Sequence, residues 1–392
     1  MEVTPLKWRC LDRLTTLFGF MVTNPIEYDA KTRRLQFNQV SLKMWPYVCS
    51  IAILFLSIFL PSLVLVMFKL FGLLHIPLAN FMVVLVLTPI SGVILLLETI
   101  STVLGYKFVG LINNAIELGK KQENSGPKRS DVLGCTLTAA VTTFGLYPYI
   151  LTGFLLHSEL DPLFQFQQLI IHYWPSPANI SIPKFVMMTI LRPLLTLCST
   201  LQICRLFAIF LCGGAIGSVS LLDSIKYMER ISYRFWIHSY ARVIIHHHSM
   251  TQILLQWSSN MFHSLVAILK LCGLVSIPLN YVTLKMYGLM PFRLYIAFPI
   301  ACVLLPLSHQ ILLPLLIGVY EGEVNLHWNW KRALRFSGYM KYLVRRIKAT
   351  RILRLYCGVS EFNFYFLKKS TKLKYQYAIL SYTISALLSE KG

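Results

Sequence analysis

Seven apolar runs divide this chain of 392 residues: Trp45–Phe68, Ile76–Leu104, Val132–Leu156, Phe185–Val219, Phe262–Leu284, Leu294–Val319 and Tyr375–Leu388. A helix needs roughly 20 apolar residues to cross about 30 Å of hydrocarbon. Six of the runs have that length, and the last is short and needs its flanks. Such runs leave few options, because lipid offers no partner for backbone polar groups and spanning segments must be helices or a closed barrel. Runs this long and unalternating are helical. The expectation is an all-α integral membrane protein with seven transmembrane helices. With 56% hydrophobic and 14% charged residues and a mean hydropathy of +0.60, the composition excludes a water-soluble domain of this size.

Charge orients the zigzag. Of the 37 Lys and Arg residues, 29 fall on one side of it. Lys7, Arg9, Arg13, Lys31, Arg33, Arg34 and Lys43 precede the first run, and thirteen more lie between the sixth and seventh. Positive charge stays in the cytoplasm. The N-terminus is therefore expected inside and the C-terminus outside, at the plasma membrane. A G-protein-coupled receptor is built the other way up. The net charge of +21 is gathered in the inner loops, where it meets anionic lipid. Without a zinc motif or interleaved aromatic and basic residues, no nucleic-acid partner is expected.

Leu14–Val22 is too weakly apolar and too far from a small-residue cleavage site for a signal peptide, and is expected to be a short helix on the inner membrane surface. No proline falls between Pro193 and Pro278 or after Pro314. Helix can then run from the fourth span into the cytosol and back through the fifth, and likewise beyond the sixth. These extensions carry apolar faces (Leu222, Ile225, Met228 and Ile231; Leu343, Ile347, Ile352 and Leu355) and should pack together. Lys120–Arg129 reads as an exposed inner loop. The expected segments are a cytoplasmic stretch 1–44, a six-helix bundle 45–319 with an extension at 220–261, inner helices 320–374, and a last span 375–392.

Nine cysteines form no metal spacing, and the outer loop His157–Lys184 contains none. His246-His247-His248 point in three directions on a helix, and the other histidines are scattered, so neither a metal nor a cofactor is expected. No catalytic set stands out, and the chain is not expected to be an enzyme. Asn179-Ile180-Ser181 is a glycosylation acceptor pattern on the expected outer side, Asn179 being the candidate. Gly213-Gly214 and Gly217 read as close helix packing. Arg192 and Lys270 are costly in hydrocarbon and draw attention for that reason. Arg192 is expected to reach Glu159 or Asp161, Lys270 to snorkel inward, and Glu98 to be a solvated or paired helix terminus.

The last run is polar in a regular way. Tyr377, Ser381, Ser385 and Ser389 recur every four residues and form a slowly drifting stripe opposite Ile379, Leu380, Ile384, Leu387 and Leu388. Such a stripe suits a wall facing water, and it equally suits serines packed against neighbouring helices.

The stretch from Thr371-Lys372-Leu373-Lys374-Tyr375 to Ser381-Tyr382-Thr383-Ile384-Ser385-Ala386-Leu387-Leu388 resembles the ending of insect gustatory and odorant receptors. Ser381-Tyr382 stands for their Thr-Tyr, and Leu388-Ser389 stands where Gln-Phe is usual. Chain length, seven spans, cytoplasmic N-terminus and a short last span match as well. The resemblance implies a ligand-gated, non-selective cation channel, a homotetramer or a heterotetramer with a co-receptor. The last helix would line its pore, 320–374 would form the anchor between subunits, and a small organic ligand would sit in the outer half of the bundle. Tyr147, Tyr149, Met188, Arg192, Tyr295 and Phe298 are the candidate pocket residues. The alternatives, a G-protein-coupled type of receptor or a transporter, lack their Asp-Arg-Tyr, outer disulfide or paired buried charges where these belong.

Overall fold

A computed structural model describes residues 5–74, 76–120, 131–173, 190–232, 237–285, 287, 295–335, 341–350, 352–359 and 362–388. Helix α1 (Pro5–Phe18) precedes a hairpin of β1 (Ile26–Asp29) and β2 (Arg34–Phe37). Then come α2 (Leu42–Leu70), α3 (Leu78–Lys120), α4 (Val132–His157), α5 (Pro162–Tyr173) and α6 (Arg192–Ile231). The chain continues through α7 (His238–Trp257), α8 (Ser259–Lys285), α9 (Ala297–Arg335) and α10 (Lys341–Ala349). A second hairpin of β3 (Tyr356–Val359) and β4 (Phe362–Phe366) leads into α11 (Lys369–Leu388). Both hairpins are antiparallel.

Six helices among the described residues are long and apolar enough to cross a membrane: α2, α3, α4, α6, α8 and α9. The last helix has 20 residues, about 30 Å at 1.5 Å per residue, but is more polar. Helix α3 has 43 residues and α6 has 40. At about 60 Å each they are twice the thickness of hydrocarbon, so they extend well beyond it. The absence of proline after Pro193 does what it predicts for α6, which runs unbroken to Ile231.

Helix α6 is the axle, packing against α2, α3, α4 and α9. Its glycines allow this. A methyl group on Gly213 would come within 2.7 Å of the Phe108 ring, and one on Gly217 within 3.1 Å of Ile112. Polar pairs add registers: Ser57 with Ser199 at 2.8 Å and Thr152 with Thr200 at 2.9 Å.

Two expectations need correction. The N-terminal helix covers Pro5–Phe18 and is built into the body. Trp8, Cys10, Leu11, Leu14 and Phe18 are buried, and the helix packs on α4 and α6. Its apolar face meets protein rather than lipid. The expected helix beyond Ile347 gives way to a hairpin, with Leu355 and Cys357 buried against the inner helices. In the outer loop, α5 packs on α2 through Phe166 and Leu169. The first hairpin holds its turn with Asp29, which accepts from the Thr32 hydroxyl at 2.8 Å and the Lys31 N–H at 2.9 Å. Those bonds hold its carboxyl below the usual carboxylate range, the Thr32 bond most of all. Lys120 ends α3; the rest of the expected inner loop, Lys121–Arg129, lies outside the described residues.

Candidate functional site

Helices α3, α4, α6, α8 and α9 line an apolar cavity of about 80 Å³. Space for a water needs only roughly 10–15 Å³ on this measure. Tyr147, Phe154 and Phe298 line it, with Thr200 and Cys204 as polar or polarisable points. The phenol of Tyr147 donates to the Ala297 carbonyl across the cavity at 3.1 Å, and Phe154 meets Phe298 edge to face at 5.4 Å. An apolar, aromatic wall with few polar groups recognises a small, mostly apolar organic molecule by shape and dispersion.

The candidate pocket residues part company here. Tyr147 and Phe298 share this cavity. Tyr149, two residues on from Tyr147, points the other way and is exposed. Tyr295 donates to the Thr283 carbonyl at 2.7 Å and meets Tyr287, outside the lining. Arg192 is buried at the start of α6, where Asp161 accepts from its guanidinium Nε at 2.9 and 3.0 Å, with Phe164 against its plane at 4.6 Å. That settles the choice between Glu159 and Asp161 and leaves Arg192 a structural clamp between α5 and α6. Met188 and Asn179 lie outside the described residues.

A second apolar cavity of about 80 Å³ lies further along the bundle, between Phe108, Gly213, Gly217, Phe262 and Leu312. Leu97 and Phe207 bring the two cavities close, since Phe207 lines both.

The last helix packs on α8 and α9, with a joint at Tyr375. Tyr375 donates to the Lys270 carbonyl, and its ring carries the Lys270 ammonium at 3.8 Å and the His309 ring at 4.9 Å. The ring lies over Gly273, where a methyl group would come within 2.4 Å of the phenol oxygen. Lys270 does not snorkel; it is buried and its charge rests on an aromatic face. A crevice of about 360 Å³ runs beside this joint, between Asn280, His309, Gln310 and Gln376.

Along α11, Tyr377 and Ser385 are exposed and Ser381 is half-buried, while Thr383 on another face is buried. Tyr382 is exposed. Ser389 lies outside the described residues.

Glu98 also departs from expectation. Helix α3 continues to Lys120, so Glu98 sits in its interior and is 1% exposed. It accepts from the Tyr47 phenol and the Gln202 amide, each at 2.5 Å. Arg205, one turn further along α6 from Gln202, ties the same region to the segment before the first hairpin by donating to the Val22 carbonyl at 2.5 Å, and to the hairpin itself through Glu27 at 3.5 Å. The distance of Glu98 from the end of an apolar run carries no sign of such a buried network, whose partners are 51 and 104 residues away.

No known family's sequence profile matches the chain, and no curated protein matches it. Solved structures do match in fold. The insect olfactory receptor OR5 from Machilis hrabei in complex with eugenol is 13% identical with a TM-score of 0.61, over 97% of this chain and 98% of that one. OR5 without that ligand gives 12% identity and a TM-score of 0.62, over 97% and 96%. The all-α membrane architecture thus finds its counterpart in a known fold. Over nearly its whole length, the chain has the fold of these two insect olfactory receptor structures.

Proposed function

We propose that this protein is a subunit of a chemosensory, ligand-gated, non-selective cation channel at the plasma membrane. It would be opened by a small organic tastant or odorant in the cavity at Tyr147, Phe154 and Phe298. The observation that carries the reading is the last helix. In a fold shared with an olfactory receptor, α11 holds Tyr377, Ser381 and Ser385 on one line, with Tyr377 and Ser385 exposed and Ser381 half-buried. A row of exposed hydroxyls on a membrane helix is well served by water or a neighbouring chain, as well as by bonds back to the i−4 carbonyl of the kind Thr383 makes to Ile379 at 2.8 Å. Four such helices around an axis supply both, a wetted wall and a closed set of neighbours. Ser389 would continue the wall.

The ligand acts by binding the open arrangement more tightly than the closed one. Tyr147 and Phe298 sit on α4 and α9, and α9 also carries His309 at the Tyr375 joint. A change in cavity width is thereby passed to the base of α11. The stripe is neutral, so weak selectivity among cations is expected.

The test is electrical. The full chain, alone and with a co-receptor subunit, is expressed in oocytes and challenged with small aromatic and terpenoid compounds. Ligand-evoked, non-selective cation currents are expected. Ser385→Phe is expected to reduce unitary conductance without loss of surface protein, and Tyr147→Ala to shift the ligand concentration for half-maximal current at least tenfold. Surface-expressed protein whose currents keep their conductance with Ser385→Phe removes Ser385 from the pore.

A further inference from the structure

Away from the ligand cavity, three metal-ligating side chains converge where the long helices α7 and α9 pack. His248 lies on α7, and Glu323 and His327 lie one turn apart on α9. Their donor atoms all fall within 4.8 Å of one another, and among the described residues this is the one place where three such groups meet. All three are buried, with His248 and Glu323 sealed completely. His248 Nε2 contacts Glu323 Oε1, and His327 Nε2 lies 3.3 Å from the same oxygen.

An ordinary buried ion pair does not account for the arrangement. One imidazole suffices to hydrogen-bond and neutralise one carboxylate, yet a second is aimed at the same oxygen. His327 Nε2 makes no hydrogen bond, nor does Glu323 Oε2. Burial penalises polar atoms that are left without a hydrogen bond in a dry interior. A divalent cation answers all of these features together, because it takes the lone pairs of both imidazoles and the carboxylate at once. Trp330 closes the site, its ring 5.2 Å from both imidazole rings and its indole N–H donated to the Ser232 hydroxyl at 2.9 Å.

We infer that His248, Glu323 and His327 form a binding site for a transition-metal dication of the Zn²⁺ class. The ion is held by two imidazoles and a carboxylate, with a water or the second carboxylate oxygen as fourth ligand. Its role is structural: it staples α7 to α9 where both lie beyond the apolar span. The site is independent of the channel reading, since it needs neither ligand nor pore.

The experiment uses the purified full-length chain in nanodiscs, stripped with a chelator and confirmed monodisperse. Cobalt chloride is titrated in and followed by visible absorption. The expected result is one Co²⁺ per chain with the intense bands of a tetrahedral site, displaced by one equivalent of Zn²⁺, and a melting temperature raised by Zn²⁺. His327→Gln is expected to abolish the bands, and exposed His246→Gln to leave them intact. Should His327→Gln fail to purify, the wild-type protein decides alone. Folded protein that shows no tetrahedral cobalt spectrum, or only weak octahedral binding that His246→Gln removes, overturns the proposal.

Discussion

At the scale of single residues, the membrane sets a high cost on buried charge, and this chain meets it with specific partners. Arg192 and Asp161 show how. Both are buried, with three guanidinium–carboxylate hydrogen bonds between them. Removing one member of such a pair strands the other and costs about 3–5 kcal/mol, whereas replacing both with apolar residues is often close to neutral. Asp161→Asn is therefore expected to lower the melting temperature of the detergent-solubilised protein sharply, and Asp161→Leu with Arg192→Met to recover most of it. Equal losses in the single and double variants would show that the pair does more than satisfy itself. The sequence made half of this legible. An arginine at the end of an apolar run announces a partner, and its distance from Asp161 is only 31 residues. His248 and Glu323 are 75 residues apart, and nothing in a single sequence links them. The spacing of Glu323 and His327, one helical turn, was the one available signal, and it is common enough by chance to pass unnoticed.

At the scale of elements, length and periodicity carried the spans and the long extensions, because hydrophobic runs and missing prolines act locally and add up over many residues. The two hairpins escaped. Their strands have four or five residues, and their burial depends on helices far away in sequence. In the second, Tyr356–Val359 and Phe362–Phe366 are β-prone runs two residues apart, a hairpin signal that helical periodicity masked. The joint of α11 was also hidden, since it depends on Gly273 of α8 leaving room for Tyr375. Gly273→Ala is expected to push Tyr375 off Lys270 and His309 and to cost about 1–3 kcal/mol, as overpacking does. If this joint transmits gating, the variant raises leak current or weakens the response. Pairing it with Tyr375→Leu restores space and should return stability but not the response. A Gly273→Ala protein with wild-type melting and wild-type currents would separate the joint from gating altogether.

At the scale of the whole molecule, the inner and outer helices are unequally satisfied. Helix α6 is enclosed by its own chain, while α11 packs on α8 and α9 and leaves Leu373, Tyr377, Leu380, Tyr382, Ile384 and Leu388 exposed. These residues face several directions, so lipid alone does not suit the helix: its apolar positions accept lipid and its hydroxyls do not. A ring of identical chains resolves the conflict, as each α11 turns its hydroxyls to a shared axis and an apolar side to its neighbour. The proposed channel needs α11 to cross the membrane, and the basic residues of the N-terminal side are expected inside. Two measurements test this together. Epitope tags at both ends, probed in intact and permeabilised cells, are expected to expose the C-terminal tag alone. A cysteine at Ser385, in a background where exposed Cys135 is replaced by serine, is expected to form oxidative dimers between chains, while one at buried Thr383 is not. Exposure of the N-terminal tag would reverse the orientation read from the basic residues and remove the channel. A correct orientation with no cross-link at Ser385 would keep the membrane fold but place the stripe against lipid headgroups or another protein, and the pore would have to be sought elsewhere.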